Sequence, residues 1–212
     1  MAGAKFITFE GGEGTGKSTQ IELLAVALTR AGLSVRTTRE PGGSPGAEEI
    51  RRLLVTGPPD RWDAMSEALL HFAARRDHLR GVVLPDLEAG HWVLSDRFAD
   101  STMAYQGYGH GLGRDAIEAF HALVVGDFAP DLTLILDLPL ELGLERALAR
   151  RNNEDRYEGL DRAFHERLRQ GFREIAGRAP ERCALIDASG EVDAVQEAVR
   201  ACVAERLRVA FP

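Results

Sequence analysis

The segment Gly11-Gly12-Glu13-Gly14-Thr15-Gly16-Lys17-Ser18 has the residue types and spacing to hold a polyphosphate. It fits G-x-x-x-x-G-K-[ST] without a gap. Glycines let successive backbone N–H groups turn inward as an anion nest, and a following helix adds the positive end of its dipole. Lys17 reaches the β- and γ-phosphates and the Ser18 hydroxyl ligates Mg²⁺. Together with Thr19, these residues are expected to bind a nucleoside triphosphate.

Two further groups could act on whatever receives the phosphoryl group. Leu94-Ser95-Asp96-Arg97 ends a short β-rich run. There Asp96 could orient Mg²⁺ or its water, and Arg97 could clamp a phosphate with its planar fork. Phe72 and Arg76 stand four residues apart on a helical stretch, and Phe72 and Arg75 three apart, so each pair shares a face. Such a pair could stack a base and read its carbonyl edge. The same spacing equally suits a phenylalanine in the core with an arginine snorkelling outward.

Positioning these groups requires strands that deliver loops to one edge. Phe6–Glu10, Val35–Arg39, Trp92–Ser95, Leu132–Asp137 and Ala184–Asp187 are short apolar or β-branched runs, as strands of a buried parallel sheet are. Between them Ser18–Ala31, Ser66–Asp86, Arg114–Val125, Leu140–Arg151, Asp161–Ala176 and Glu191–Val209 carry apolar residues at helical spacing. Strand alternating with helix predicts an α/β fold with a doubly wound sheet, in which ligands collect at the carboxyl ends of the strands. Two glycine-dense stretches, residues 40–46 and 107–113, read as loops, functional or plain turns. No linker or repeat divides the chain, so residues 1–212 are expected to form one domain.

Composition removes several classes. Of 26 basic residues 24 are arginine, leaving only Lys5 and Lys17, and 33 acidic residues bring the formal charge to −7. An acidic chain is a poor nucleic-acid coat. No apolar run nears the ~20 residues of a membrane span, and the N-terminus has no secretory core. Cys183 and Cys202 lack metal spacing and read as small core residues. His71, His78, His110 and His121 show no catalytic partner spacing. A reducing cytoplasm is the expected setting.

In order along the chain stand Phe9-Glu10-Gly11, Thr38-Arg39-Glu40-Pro41-Gly42-Gly43, Phe72-Ala73-Ala74-Arg75-Arg76, Asp96-Arg97-Phe98, Ser101-Thr102-Met103-Ala104-Tyr105-Gln106-Gly107, Pro130–Asp137 and Asp155-Arg156-Tyr157-Glu158. This set resembles the bacterial thymidylate kinases over nearly the whole chain. The resemblance implies the P-loop NTPase fold of nucleoside monophosphate kinases, a five-stranded parallel sheet flanked by helices on both faces. It also implies transfer of phosphate from ATP to dTMP with Mg²⁺, and a homodimer built on the helices near 66–86 or 114–125.

Carried over, the resemblance has Phe72 stacking on thymine, Arg76 bonding its exocyclic oxygen and Thr102 beside the base edge. Tyr105 lies near the sugar and Glu13 near its 3′-hydroxyl. Arg39 and Arg97 hold the acceptor phosphate, with Pro41, Ser101 and Gln106 completing the acceptor set. Ser18 and Asp96 hold the metal, and adenine meets residues 187–190. One branch of the family places an arginine at the position of Gly14. This chain resembles the other, whose lid, here about residues 146–158, supplies it. Arg150 and Arg156 are the expected catalytic arginines, with Lys17, Arg97 and Glu13 beside them and Arg151 in reserve. The rival readings are a kinase for another nucleoside monophosphate and a nucleotide-binding switch without catalysis.

Overall fold

The protein is described by a computed structural model covering residues 3–148, 156–157 and 159–212. Five parallel strands, β1 (Phe6–Glu10), β2 (Val35–Arg39), β3 (Trp92–Asp96), β4 (Leu132–Asp137) and β5 (Cys183–Asp187), lie in the order β2-β3-β1-β4-β5. β1 is central, pairing Phe9 with Asp96 on one side and with Leu134 on the other. Every residue of β1 is buried, as a strand covered on both faces must be.

On one face, Ile7 and Phe9 pack with Ile21, Leu24 and Leu28 of α1 (Lys17–Arg30) and with Val195, Val199 and Val203 of α9 (Val192–Leu207). The other face is covered by α3 (Ala64–His78), α6 (Arg114–Val124) and α8 (Arg162–Arg178). There Phe72, Ile135, Phe164 and Phe172 form one cluster, and Phe6, Val93 and Phe98 a second. At ~1.5–3 kcal/mol for each fully buried side chain, these two layers hold the sheet.

The strand boundaries match the expected ones to within one residue. The helical reading is less complete. The expected 66–86 helix begins at Ala64, widens into a π-turn over Leu79–Val83 and ends as α4 (Leu84–Glu88). The glycine-dense stretch at 40–46 leads directly into a helix not anticipated, α2 (Pro45–Val55), with proline at its first position, where a missing N–H costs nothing. Residues 99–109 are helical too: α5 (Ala99–Thr102) runs into a π-turn over Met103–Gly109. α7 (Leu140–Leu148) completes the set, and the rest of the expected 140–151 helix lies outside the described residues. No helix among the described residues is long and apolar enough to cross a membrane.

Candidate active site

β1 delivers Gly11–Gly16 to the carboxyl edge of the sheet, and α1 leaves from it. Gly16 caps α1 in the left-handed region, with φ of 87°, so the loop can close over an anion at no Cβ cost. Lys17 Nζ lies across the loop, donating to the Gly12 carbonyl at 2.8 Å and the Gly11 carbonyl at 3.2 Å. Burial, and then the Arg97 cation, bring its pKa down to about 8. The Ser18 hydroxyl donates to Asp96 Oδ2 at 2.8 Å, across the boundary between β1 and β3. Among the described residues no cluster of three or more His, Cys, Asp or Glu forms an all-protein metal cage. A hydroxyl beside a carboxylate at an open edge is instead a hard-oxygen pair that leaves room for phosphate and water ligands, as Mg²⁺ requires.

Arg97 follows β3 in a left-handed conformation, φ 71°, which a non-glycine residue adopts only when its surroundings hold it there. Its own N–H donates to Phe9 O, Ser95 Oγ donates to its carbonyl, and the next N–H, of Phe98, donates to the buried Glu10 carboxyl at 2.8 Å. The other Glu10 oxygen takes the Ser101 hydroxyl at 2.5 Å. Burial, with the Asp100 charge, pushes Glu10 up to about 8. So held, Arg97 donates to Gly11 O, to Ser101 Oγ and to Glu13 Oε1, the last at 2.9 Å. Tyr105 packs under the guanidinium and donates its phenol to the same Glu13 oxygen at 2.5 Å. Burial alone would raise Glu13, but Arg97, Lys17 and Tyr105 bring it to about 2. Glu13 is therefore a carboxylate held within the site.

A cavity of about 330 Å³ joins these groups to an acceptor wall built from α2, α3 and residues 98–106. Of the expected residues, Glu13, Gly14, Gly16, Lys17, Ser18, Arg39, Pro41, Asp96, Arg97, Ser101, Thr102, Tyr105 and Gln106 line it. Gly11, Gly12, Thr15 and Thr19 belong to the same loop and first helical turn without lining the cavity. Arg39 stands at the rim, paired with Glu48.

On α3 the structure does not bring the expected pair to the cavity. Phe72 is buried against Phe120 in the core, and Arg76 is exposed, donating to Val124 O at 3.1 Å. The residues that face the cavity are His71 and Arg75, again four apart. Energetics decides the rotation. Burying the phenylalanine ring is worth ~2–3 kcal/mol, whereas burying a guanidinium without a partner costs several. Only Arg75 has the partners. Glu40 Oε2 accepts its Nε at 2.8 Å, while Phe98 O and Thr102 Oγ1 accept its Nη2. Phe72 and Phe98 flank the guanidinium, each about 5 Å from it. Glu40 is braced in turn by His78, which meets Thr38. The buried Nη1 of Arg75 has no partner among the described residues, and so remains for a ligand. Burial keeps His71 neutral, its pKa near 4. Arg75→Gln should therefore raise KM for the acceptor by about tenfold or more and Arg76→Gln by less than about twofold in steady-state assays. Equal effects would restore the original pair.

Arg150 and Arg151 lie outside the described residues. Arg156 is inside them, and it does not line the cavity. The residue is 3% exposed, and its guanidinium pairs with Glu67 at 2.5 Å and donates to the carbonyls of Leu54, Pro58 and Pro59. The structure thus places it in the interior, with all its donor nitrogens engaged there, and not with the expected group of residues that line the cavity. Glu40, His71 and Tyr157 were missed by sequence reasoning, and Arg75 was considered only as a partner of Phe72. The signal for the α3 residues was a stripe of ionisable groups, Glu67, His71, Arg75 and His78, at helical spacing on one face.

Comparison with known proteins shows the family. A family model described as thymidylate kinase matches residues 9–199. A thymidylate kinase from Caulobacter vibrioides is 57% identical over 202 residues, covering 95% of this chain and 97% of its own length. One from Bradyrhizobium sp. strain ORS 278 is 52% identical over 205 residues, covering 96% and 91%. The crystal structure of thymidylate kinase from Ehrlichia chaffeensis superimposes with a TM-score of 0.76 at 36% identity, covering 95% of this chain and 98% of that one. On matches of this extent, joined to a complete phosphate loop and an arginine-lined acceptor wall, the chain belongs to the thymidylate kinase family.

Proposed function

We propose that this chain transfers the γ-phosphoryl group of ATP to the phosphate of dTMP, giving dTDP and ADP. The observation that carries the reading is one cavity with the phosphate loop on one side and Arg39, Arg75 and Arg97 on the other. The acceptor is a phosphate monoester, already ionised near neutral pH, so the site needs no strong base. It must overcome repulsion between two polyanions and align them. Lys17 and the loop N–H groups hold the donor phosphates. Ser18 and the Asp96 carboxylate would hold Mg²⁺, which when bound neutralises charge between donor oxygens. Arg97 and Arg39 hold the acceptor phosphate, Arg75 reads the base edge beside Thr102 and Gln106, and the His71 ring lies against the base. Tyr105, fixed by Glu13, bounds the sugar, and the same carboxylate meets the 3′-hydroxyl.

The closing cation comes from Arg150 or Arg151 of the lid, rather than from the phosphate loop. A Cβ on Gly14, which has φ +70°, would stand 2.1 Å from Gly143 O of α7. Adenine meets residues 187–190, where Arg146 donates to Ala188 O. The exposed apolar side chains Met65, Leu69 and Leu123 on α3 and α6 form the face of a homodimer. The enzyme acts in the cytoplasm, with neither nucleic acid nor membrane as partner. A panel of dTMP, dUMP, dCMP, dGMP and AMP with ATP and Mg²⁺ tests the reading. dTMP should give the highest kcat/KM, and a clear preference for another acceptor, or ATP binding without acceptor-dependent ADP release, would overturn it.

A further inference from the structure

Arg156 and Tyr157 are neighbours in sequence with opposite destinations. Arg156 turns away from the cavity into a buried polar knot, and Tyr157 enters the cavity wall. The knot is centred on Glu67, in the first turn of α3 and fully buried. Its carboxylate accepts from Gln106 Nε2 at 2.6 Å, lies 3.4 Å from His110 Nε2 and pairs with Arg156 at 2.5 Å. Arg156 then ties the same point to Leu54 at the end of α2 and to the two prolines beyond it. A carboxylate this deep is tolerated only with a counter-ion and hydrogen bonds. Burial alone would raise the Glu67 pKa, yet His110, His71 and Arg156 hold it at about 2.

The consequence is felt one residue on. Tyr157 OH lies 2.9 Å from His71 Nε2, one turn along α3 from Glu67. The Tyr157 ring meets Tyr105 edge-on, centroids 5.3 Å apart at 84°, and Tyr105 holds Glu13. Burial keeps the Tyr157 phenol protonated and His71 neutral, so the phenol can donate to the ring nitrogen and fix the plane of the imidazole.

We infer that Glu67 and Arg156 are positioning residues that dock Tyr157 against His71, and that Tyr157 thereby orients the His71 ring and completes the nucleoside side of the acceptor cavity. The pair sets acceptor affinity from outside the cavity. This rests on the proposal above that the cavity takes the acceptor nucleotide. Wild-type turnover of dTMP tests that reading by itself, while ratios between variants test the docking.

The experiment measures kcat, separate KM values for dTMP and ATP, and Tm for wild type, Tyr157→Phe, Arg156→Lys, Glu67→Gln and the Glu67→Gln/Arg156→Gln double variant. Tyr157→Phe should raise KM for dTMP about three- to tenfold and lower Tm by no more than a few degrees, because only one hydrogen bond is lost. Arg156→Lys and Glu67→Gln should each raise it about tenfold or more, with kcat within about threefold and KM for ATP unchanged. The double variant should lose less than the product of the single losses, since it leaves no unpaired charge. A fall in kcat of about 10³-fold in Arg156→Lys with KM for dTMP unchanged would make Arg156 catalytic and overturn the inference. So would a wild-type KM for dTMP in Tyr157→Phe, which decides the matter if the Glu67 or Arg156 variants do not fold.

Discussion

Arg97→Lys is expected to lower kcat/KM for dTMP by about 10²–10³-fold, although charge and approximate length are kept. The guanidinium makes three directed contacts at once, to Gly11 O, Ser101 Oγ and Glu13 Oε1, while its carbon lies 4.9 Å from the Tyr105 ring centroid. A lysine ammonium converges three donors on one nitrogen. It cannot span acceptors that lie on the loop, on α5 and on Glu13 while presenting a flat edge to a phosphate. The backbone contributes nothing to the difference: both residues carry a Cβ and would suffer the same left-handed strain at φ 71°. Glu10 and Ser95 would still hold the turn. The loss should therefore fall on turnover and acceptor binding with little change in Tm, read by steady-state kinetics beside thermal unfolding. Near-normal turnover would remove Arg97 as the clamp.

The parts of this site legible in the sequence are those whose geometry is local. The phosphate loop is a contiguous eight-residue motif between a strand and a helix, and each step follows from the backbone. Arg97 and Asp96 were legible because a strand end fixes where a side chain can go. Which α3 residues face the cavity was not legible because His71/Phe72 and Arg75/Arg76 are adjacent doublets, and spacing alone cannot say which member faces inward. What breaks the tie is remote. Glu40, thirty-five residues upstream of Arg75, is the partner that permits an arginine to be buried there. The buried placement of Arg156 was not legible for the same reason: its basic neighbours suggested solvent and phosphate, and its partner Glu67 lies far away in sequence, on α3. The helix at 45–55 was hidden by the glycine and proline run at 40–46, in which Pro45 is a helix start rather than a breaker.

Gly14→Arg, which would place the closing cation in the phosphate loop, is expected to reduce kcat/KM by about 10³-fold or more, and to lower Tm, rather than supply a second catalytic arginine. Gly14 has φ +70°, where an arginine pays about 1–2 kcal/mol in backbone strain alone. The larger obstacle is contact. A Cβ there would sit 2.1 Å from Gly143 O, 2.9 Å from its carbonyl carbon and 3.1 Å from its Cα, and all three are backbone atoms that no rotamer change can move. Either the loop opens, losing the nest around the phosphates, or α7 shifts from the end of β4 and takes with it Arg146, which anchors the 187–190 turn. Both routes damage the donor side, so ATP affinity should fall together with turnover. Gly12→Ala is the comparison: its Cβ would meet no protein atom within 4 Å, so Tm should stay at the wild-type value whatever happens to phosphate binding. If Gly14→Arg instead keeps wild-type Tm and ATP affinity, α7 yields to the loop, and the tight seat of Gly14 against Gly143 no longer argues for a closing cation from outside the loop.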